Sequence, residues 1–89
     1  MKAKRTKLEI IRDMLNILQR NRKVKITHLI YKANLSNNSI KPYLDDLLKN
    51  GLVEQYAEDD QKLFRITMKG NEFLMEFSKI KVFSESFGL

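Results

Sequence analysis

The segment that runs from Ala33 to Glu54 constrains the fold more than any other part of this 89-residue chain. Ser36 is a favourable residue for capping the start of a helix, and Gly51 is typical of a helix end because glycine accepts the left-handed conformation. Between them, apolar residues follow helical spacing and would bury one face: Ile40, Leu44, Leu47 and Leu48. The segment therefore predicts the end of a short helix, a tight turn, a second helix and a strand that follows at once.

That order of elements is the layout of a helix-turn-helix that runs into a wing. Upstream of it, Thr6 and Glu9 have the spacing of a capping box, so a first helix should begin there. Val24 and Ile26 alternate with lysines and are typical of a short edge strand. Thr27 would then cap a second helix from about His28 to Ala33.

A hairpin and a last helix complete the predicted fold. Leu52 to Tyr56 and Leu63 to Ile66 have strand composition, and the polar stretch between them, Ala57 to Lys62, suits a hairpin tip. Thr67 would cap the last helix. The predicted fold class is mainly α with a small β-hairpin (α+β), a winged helix-turn-helix with an extended C-terminal helix. One domain would cover residues 1–89, with the helix-turn-helix and wing in residues 1–67 and a dimerisation helix in residues 68–89.

The last helix carries a set of residues at alternating spacings of four and three, which is the pattern of a coiled coil. These residues, which we call the C-terminal seam, are Phe73, Phe77, Ile80, Ser84 and Phe87. We expect a second copy of the chain to pack along this seam in a homodimer. The alternative is a helix that folds over its own domain. Residues from Ser84 to Leu89 would fray.

Composition excludes several classes of function. The chain has no cysteine and a single histidine, so no disulfide, thiolate zinc site or histidine cluster can form. His28 has no thiol partner, and the acidic groups at Asp45-Asp46 and at Glu58 to Asp60 lie at predicted surface positions that suit no acid–base catalyst. We therefore expect no enzyme, no catalytic residue, no metal and no cofactor, and no small-molecule substrate is evident.

Hydropathy argues against a membrane protein. No apolar run approaches the roughly 20 residues that span a bilayer. Charged residues also interrupt the apolar stretch near the N-terminus, which argues against a signal peptide. We expect a cytoplasmic protein with no membrane partner.

The net charge of +6 is concentrated at one end of the chain. Residues 1–25 hold nine lysines or arginines and two acidic residues, which gives a local charge of +7. Such a patch attracts a polyanion, and nucleic acid is the usual soluble one. The alternative is a solvated, solubilising segment. If DNA is the partner, phosphate contacts are expected from Lys4, Arg5, Arg22, Lys23, Lys25, Lys32, Lys62 and Arg65.

The helix that begins near Ser36 would present its polar side to a DNA groove. We expect that side to contact bases through Asn37, Asn38, Ser39 and Lys41, since asparagine pairs with adenine and lysine reaches guanine or phosphate. Pro42 has two possible outcomes. It either removes a hydrogen bond inside the helix or, if the regular helix starts nearer Ser39, falls in the first turn at little cost.

Four stretches of the chain, taken together, resemble a known group. They are Lys7-Leu8-Glu9-Ile10-Ile11, the residues from Tyr31 to Ser36, those from Tyr43 to Glu54, and those from Ile66 to Leu74. The sequence between about Lys4 and Phe77 is similar to the small archaeal winged-helix proteins, which include predicted transcriptional regulators and coiled-coil-dimerised proteins of archaeal chromatin. The resemblance implies a winged helix, DNA binding by the third helix with basic residues around it, and dimerisation through the last helix.

Two hypotheses of function follow. The first is a nucleoid-associated protein or transcriptional regulator of the archaeal type that binds double-stranded DNA as a homodimer. The second is a winged-helix module that docks a protein partner in a transcription or replication complex. The second is favoured by Asp45, which makes the polar face of the third helix nearly neutral, and by the acidic hairpin tip.

Overall fold

A computed structural model describes residues 5–88 and contains the predicted order of elements. The helices and strands are α1 (Lys7–Arg20), α2 (Ile26–Ala33), α3 (Asn37–Lys49), β1 (Val53–Glu58), β2 (Gln61–Ile66) and α4 (Met68–Ser86). Four helices and one antiparallel hairpin confirm the predicted fold class of mainly α with a small hairpin.

The capping box at the start of α1 is confirmed. The Thr6 hydroxyl accepts a hydrogen bond from the Glu9 amide at 3.2 Å, and a Glu9 carboxylate oxygen accepts from the Thr6 amide at 2.9 Å. Hydrogen bonding of the Glu9 carboxylate to the Thr6 amide, and to a smaller extent to the Thr6 side chain, lowers the pKa of Glu9 below its ordinary value of 4.5. Both bonds satisfy amide groups that a helix start leaves free.

The predicted start of α2 was wrong by two residues. The helix begins at Ile26 with Lys25 as its N-cap, so Thr27 lies inside the helix and caps nothing. The cause is a contact far along the chain, because the carbonyl of Val24 accepts a hydrogen bond from the Phe64 amide at 2.9 Å. This single bridge between Val24 and Phe64 is all that forms of the predicted edge strand.

Pro42 lies inside α3, which is the first of the two predicted outcomes. The helix starts at Asn37, where the Ser36 hydroxyl accepts from the Ser39 amide at 3.1 Å, and it continues through Pro42 to Lys49. Proline has no amide hydrogen, so the carbonyl of Asn38 has no helical donor four residues later. That carbonyl belongs to the exposed, N-terminal part of α3.

The hairpin is longer and its tip shorter than predicted. β1 and β2 pair from Val53 opposite Ile66 to Glu58 opposite Gln61, so only Asp59 and Asp60 form the turn. Both have positive φ, 51° and 63°. A two-residue turn with two positive φ values matches the right-handed twist of the strands, and aspartate tolerates this conformation better than most residues.

The core is centred on α1 and receives side chains from every other element. Its fully buried members include Met14 and Leu15 of α1, Leu29 of α2, Ile40 and Leu47 of α3, and Val24. Among residues 5–88, the last core residue is Leu74, in the first half of α4. Beyond it, α4 continues to Ser86, so Ser84 to Ser86, where fraying is expected, have helical conformation; Leu89 lies outside the described residues.

The first turn of α4 is fastened to the end of α3. The Thr67 hydroxyl donates to the Gly51 carbonyl at 2.6 Å, and the Lys69 ammonium donates to the Asn50 carbonyl at 2.8 Å. Gly70 is needed there, since a Cβ at this position would lie 2.3 Å from the Leu52 carbonyl oxygen. We call this set of contacts the α3–α4 junction.

Candidate nucleic-acid interface

The outer side of α3 presents the predicted recognition residues to solvent. Asn37, Asn38, Ser39 and Lys41 are all exposed, while Ile40 between them is fully buried. Ser39 also accepts a hydrogen bond from the Ser36 hydroxyl at 2.8 Å, which fixes the first turn. The structure thus gathers these four residues on the exposed surface of one helix end.

Arg5 is engaged within the protein. Its guanidinium pairs with the Asp13 carboxylate at 2.8 Å and donates to the carbonyl of Ala33 at 2.7 Å and to that of Asn34 at 3.3 Å. These carbonyls lie at the C-terminal end of α2, where a cation is favourable. Arg5 therefore ties α1 to α2, and we do not retain it as a phosphate contact.

Two other predicted phosphate contacts also have partners inside the molecule. Arg65 is hydrogen-bonded to Glu54 directly across the hairpin, and its guanidinium carbon lies 4.4 Å from the centre of the Tyr56 ring. Lys23 pairs with Glu58 at 3.5 Å, but both side chains remain largely exposed. Exposed ion pairs of this kind are weak and can yield to a phosphate; the pair of Arg65 with Glu54 is also exposed, but Arg65 has the Tyr56 ring as a second partner.

The remaining predicted cations fall in three places. Lys25, at the N-cap of α2, Lys41 on α3 and Lys62 on β2 are exposed, and none of the three forms an ion pair within residues 5–88. Arg22 lies in the loop between α1 and α2. Lys32 lies in a separate polar cleft with Asp13 and Arg20. Lys4 is outside the described residues.

A groove between α3 and the hairpin brings some of these cations together. Its floor is apolar, and its rim is polar and charged; the lining residues are Ile26, Leu44, Leu48 and Phe64 below and Lys41, Asp45, Gln55 and Lys62 above. We call it the α3–wing groove. The bridge between Val24 and Phe64 also ties the start of α2, with Lys25, to the hairpin. Basic side chains from α3 and the wing therefore face one surface.

Gln55 is the rim residue that sequence reasoning missed. It lies opposite Phe64 in the hairpin and two positions from Ala57, which is opposite Lys62, so it shares their face of the sheet. Only the strand register shows this, because the sequence left the strand ends uncertain. The predicted β1 contained Gln55, and a predicted β2 that began at Gln61 would have placed Lys62 on the same hairpin face.

The predicted C-terminal seam divides into two parts. Phe73 packs against the core, and Phe77 is half-buried with the Arg12 guanidinium 5.3 Å from its ring centre. Ser84 is half-exposed, whereas Ile80 and Phe87 are 65% and 66% exposed. Phe83, which is not part of the predicted seam, is 64% exposed and its ring lies 4.8 Å from that of Phe87. The first half of α4 thus folds over its own domain, and the second half does not.

Residues 5–88 contain neither a group of acidic and histidine side chains that would hold a metal ion nor a helix long and apolar enough to cross a membrane. A helix-turn-helix, a hairpin and a surface of exposed polar and basic side chains remain as the features that define the molecule.

A family model described as winged helix-turn-helix matches residues 4–85. The chain belongs to the winged helix-turn-helix family. This membership agrees with the resemblance that the sequence suggested and with the expectation of a protein that is not an enzyme.

Individual proteins are also similar to this chain. The crystal structure of Sso10a-2, a DNA-binding protein from Sulfolobus solfataricus, has a TM-score of 0.79 and 30% identity, over 93% of this chain and 85% of that one. An S. aureus MepR–DNA complex has a TM-score of 0.69 and 17% identity, over 86% of this chain and 58% of that one, and shares the fold. An uncharacterized protein of Methanocaldococcus jannaschii is 33% identical over 55 residues, which are 62% of this chain and 56% of that protein. The chain here matches just over half the length of that relative.

Proposed function

We propose that this winged-helix protein binds double-stranded DNA as a homodimer and acts as a transcriptional regulator or nucleoid-associated protein of the archaeal type, in the cytoplasm. The observation that carries the proposal is that exposed Lys41 of α3, one helical turn from exposed Asn37 and Asn38, lines the same groove as Lys62 of the wing. The similarity to Sso10a-2, a DNA-binding protein, supports it.

In this proposal, the start of α3 enters the major groove. Asn37 and Asn38 would pair with base edges, and Lys41 would reach guanine or phosphate. Asp45 lies one turn further along and keeps the C-terminal half of α3 away from phosphates. The first two turns of α3 would therefore do the reading.

Phosphate contacts would come from Arg22, Lys25 and Lys62, with Lys23 available when its exposed pair with Glu58 opens. Lys25 gives no side-chain cap to α2, so the first amides of that helix are free of a side-chain acceptor. A helix start with a lysine beside it favours an anion. These contacts would supply affinity without sequence preference.

The homodimer would use the exposed half of α4. Ile80, Phe83 and Phe87 are each about two-thirds exposed, and the described residues of the same chain leave them uncovered. Large apolar side chains that cluster on a surface commonly mark a protein interface. A homodimer would place two copies of α3 on one DNA molecule. In this refined form of the proposal, Phe83 replaces Phe73 and Phe77 in the C-terminal seam.

The direct test is a fluorescence-anisotropy titration of a mixed-sequence 30-base-pair duplex at 50 and 200 mM salt. We expect binding at the lower salt that weakens steeply at the higher one, because phosphate contacts release counterions. Lys25→Glu and Lys62→Glu should each weaken binding at least about tenfold. Arg20→Glu, in the separate polar cleft that Arg20 forms with Asp13 and Lys32, is the control and should change little. Absence of binding at low salt, or binding indifferent to salt, would refute the proposal.

A protein-docking module is the second candidate. It is favoured by the hairpin tip, where Glu58, Asp59 and Asp60 are exposed and acidic. Asp59→Asn combined with Asp60→Asn separates the two functions. The pair of substitutions should leave DNA binding equal or tighter if DNA is the partner, and should weaken capture of a protein partner if the tip is the docking site.

A further inference from the structure

We propose that the α3–wing groove binds a small carboxylate with an apolar group, and that this ligand competes with DNA. The competition rests on the function proposed above, but the binding site does not. The observations that carry it are an apolar floor, two unpaired lysines on the rim and a volume that suits a small molecule.

The floor of the groove is formed where three elements meet. Leu44 and Leu48 of α3, Ile26 of α2 and Phe64 of β2 line it, and the groove as a whole has a volume of about 320 Å³ and is open to solvent. Phe64 is held there by its pairing with Val24, and Leu44 is almost fully buried. The shape is therefore set by backbone pairing and core packing. Ligand sites of this type are usually concave, apolar and largely preformed.

The rim gives the site its charge preference. Lys41 approaches from α3 and Lys62 from β2, while Gln55 and Asp45 complete the rim. Two ammonium groups and one carboxylate leave a net charge of +1, which matches a monoanion. Neither lysine has an ion-pair partner among residues 5–88, so a ligand carboxylate would not have to displace one. Gln55 adds an amide that can donate to the same carboxylate.

The position of the groove explains why binding would affect DNA. Lys41 and Lys62 are the lysines that we assign to base and phosphate contacts, and a ligand carboxylate between them would cancel the rim's net charge of +1 and compete for both ammonium groups. The apolar body of the ligand would lie between α3 and the wing. A DNA phosphate has the charge for this rim but no apolar body for the floor, so the two ligands differ in what they use.

The test uses ¹⁵N-labelled full-length protein and two-dimensional amide spectra. Benzoate and cyclohexanecarboxylate are the probes. Acetate is the control that has the carboxylate but no ring, and benzyl alcohol is the control that has a ring but no charge. We expect saturable shifts of the Ile26, Leu48 and Phe64 amides with a dissociation constant of about 1 mM for the probes. Acetate and benzyl alcohol should bind at least about threefold more weakly. Equal binding of acetate and benzoate would overturn the proposal, because it would show a generic anion effect.

Three variants sharpen the result. Lys41→Gln and Lys62→Gln should each weaken benzoate binding about three- to fivefold. Lys49→Gln, which changes an exposed lysine on the same helix outside the groove, should not. Gln55→Trp keeps both lysines but fills the groove, and it should abolish the shifts. Undiminished binding to Gln55→Trp or to both lysine variants would also overturn the site.

Competition is measured separately from binding. At constant ionic strength, benzoate should weaken DNA binding by wild-type protein and have no effect on Gln55→Trp, with acetate as the salt control. If the protein proves not to bind DNA, the proposed function fails while the amide titration still decides the groove. If benzoate binds but leaves DNA affinity unchanged, the regulatory part is overturned.

Discussion

The guanidinium of Arg5 donates a hydrogen bond to the carbonyl oxygen of Ala33 at 2.7 Å. The same group pairs with Asp13, so a residue before α1 holds the end of α2 against α1. An arginine in the most basic part of the chain is thereby used for stability.

We predict that Arg5→Gln lowers the free energy of unfolding by about 1 kcal/mol, because two carbonyls and a carboxylate lose a charged donor. Urea unfolding followed by circular dichroism measures this. Arg22→Gln is the matched change in the exposed loop and should leave stability within about 0.5 kcal/mol. In DNA titrations we expect the opposite order of effects. Arg22→Gln should lower the slope of log affinity against log salt by about one phosphate contact, and Arg5→Gln should leave that slope unchanged. A lower slope for Arg5→Gln instead of Arg22→Gln would show that Arg5 contacts DNA phosphates and gives up its hydrogen bonds within the protein.

Gly70→Ala should destabilise the protein more than a single methyl group usually does. The added Cβ would meet the Leu52 carbonyl oxygen at 2.3 Å, and backbone cannot move aside without disturbing the hairpin or α3. We expect a loss of about 2–3 kcal/mol in urea unfolding. Gly51→Ala is the control, because its Cβ would enter open space and only its φ of 73° opposes the change. Its cost should be about 1 kcal/mol. Equal costs would contradict the close contact at Gly70.

The Glu9 carboxylate should make stability depend on pH in the acid range. Its pKa is lowered in the folded protein by the hydrogen bonds with Thr6, from an ordinary value of 4.5. The contribution is therefore complete above pH 4.5 and is lost as the pH falls through the lower folded value. Unfolding of the wild type and of Glu9→Gln should differ near neutral pH and converge in acid. A difference that is constant with pH would contradict the capping interaction as its source.

Removal of residues 79–89 should yield a folded monomer. The buried core of the described chain ends at Leu74, and Phe73 and Phe77 are retained, so the domain keeps its packing. Analytical ultracentrifugation measures the mass, and circular dichroism measures the fold. Phe83→Asp in the full chain should have the same effect on mass because it places a charge in the exposed apolar surface. A truncated chain that still dimerises would exclude the end of α4 as the main interface.

The turn of the hairpin should tolerate glycine better than aspartate. Asp60 has a φ of 63°, which costs less for glycine than for any residue with a Cβ. Asp60→Gly should raise the free energy of unfolding by about 0.5–1 kcal/mol. Asp60→Asn removes the same charge but keeps a side chain, so it should give a smaller gain. Equal increases in the free energy of unfolding for the two variants would show that removal of the charge, and not the positive φ, is the cause.

Local signals in the sequence predicted the features that depend on a few neighbouring residues. Thr6, Ser36 and Thr67 all cap the helices they were expected to cap, because the hydroxyl and the amide it accepts from lie within three residues. The start of α2 was mispredicted because it depends on Phe64, forty residues away, which holds Val24 in extended conformation. A capping preference at Thr27 cannot compete with that constraint.

Features of the site that depend on contacts between residues far apart in the sequence could not be predicted. The sequence predicted Arg5 to be a phosphate contact, because no neighbouring residue indicates that the C-terminal end of α2, at Ala33, lies beside it. It placed Phe73 and Phe77 in a dimer seam because spacing alone does not say which part of a helix meets its own core. The exposed residues of α3 were predictable, since Ile40, Leu44 and Leu47 fix the opposite face.

The bonds of the α3–α4 junction have a mechanical meaning. Lys69 and Thr67 donate hydrogen bonds to the two carbonyls that follow α3, and Gly70 allows the backbone of α4 to pack closely against that segment. We therefore expect α3 and α4 to move as one rigid unit. If two copies join through the ends of α4, the distance between their α3 helices is then set by a stiff frame. A rigid dimer of this kind would bind best to DNA whose two half-sites have one fixed spacing. DNA with another spacing would have to bend for both α3 helices to make contact.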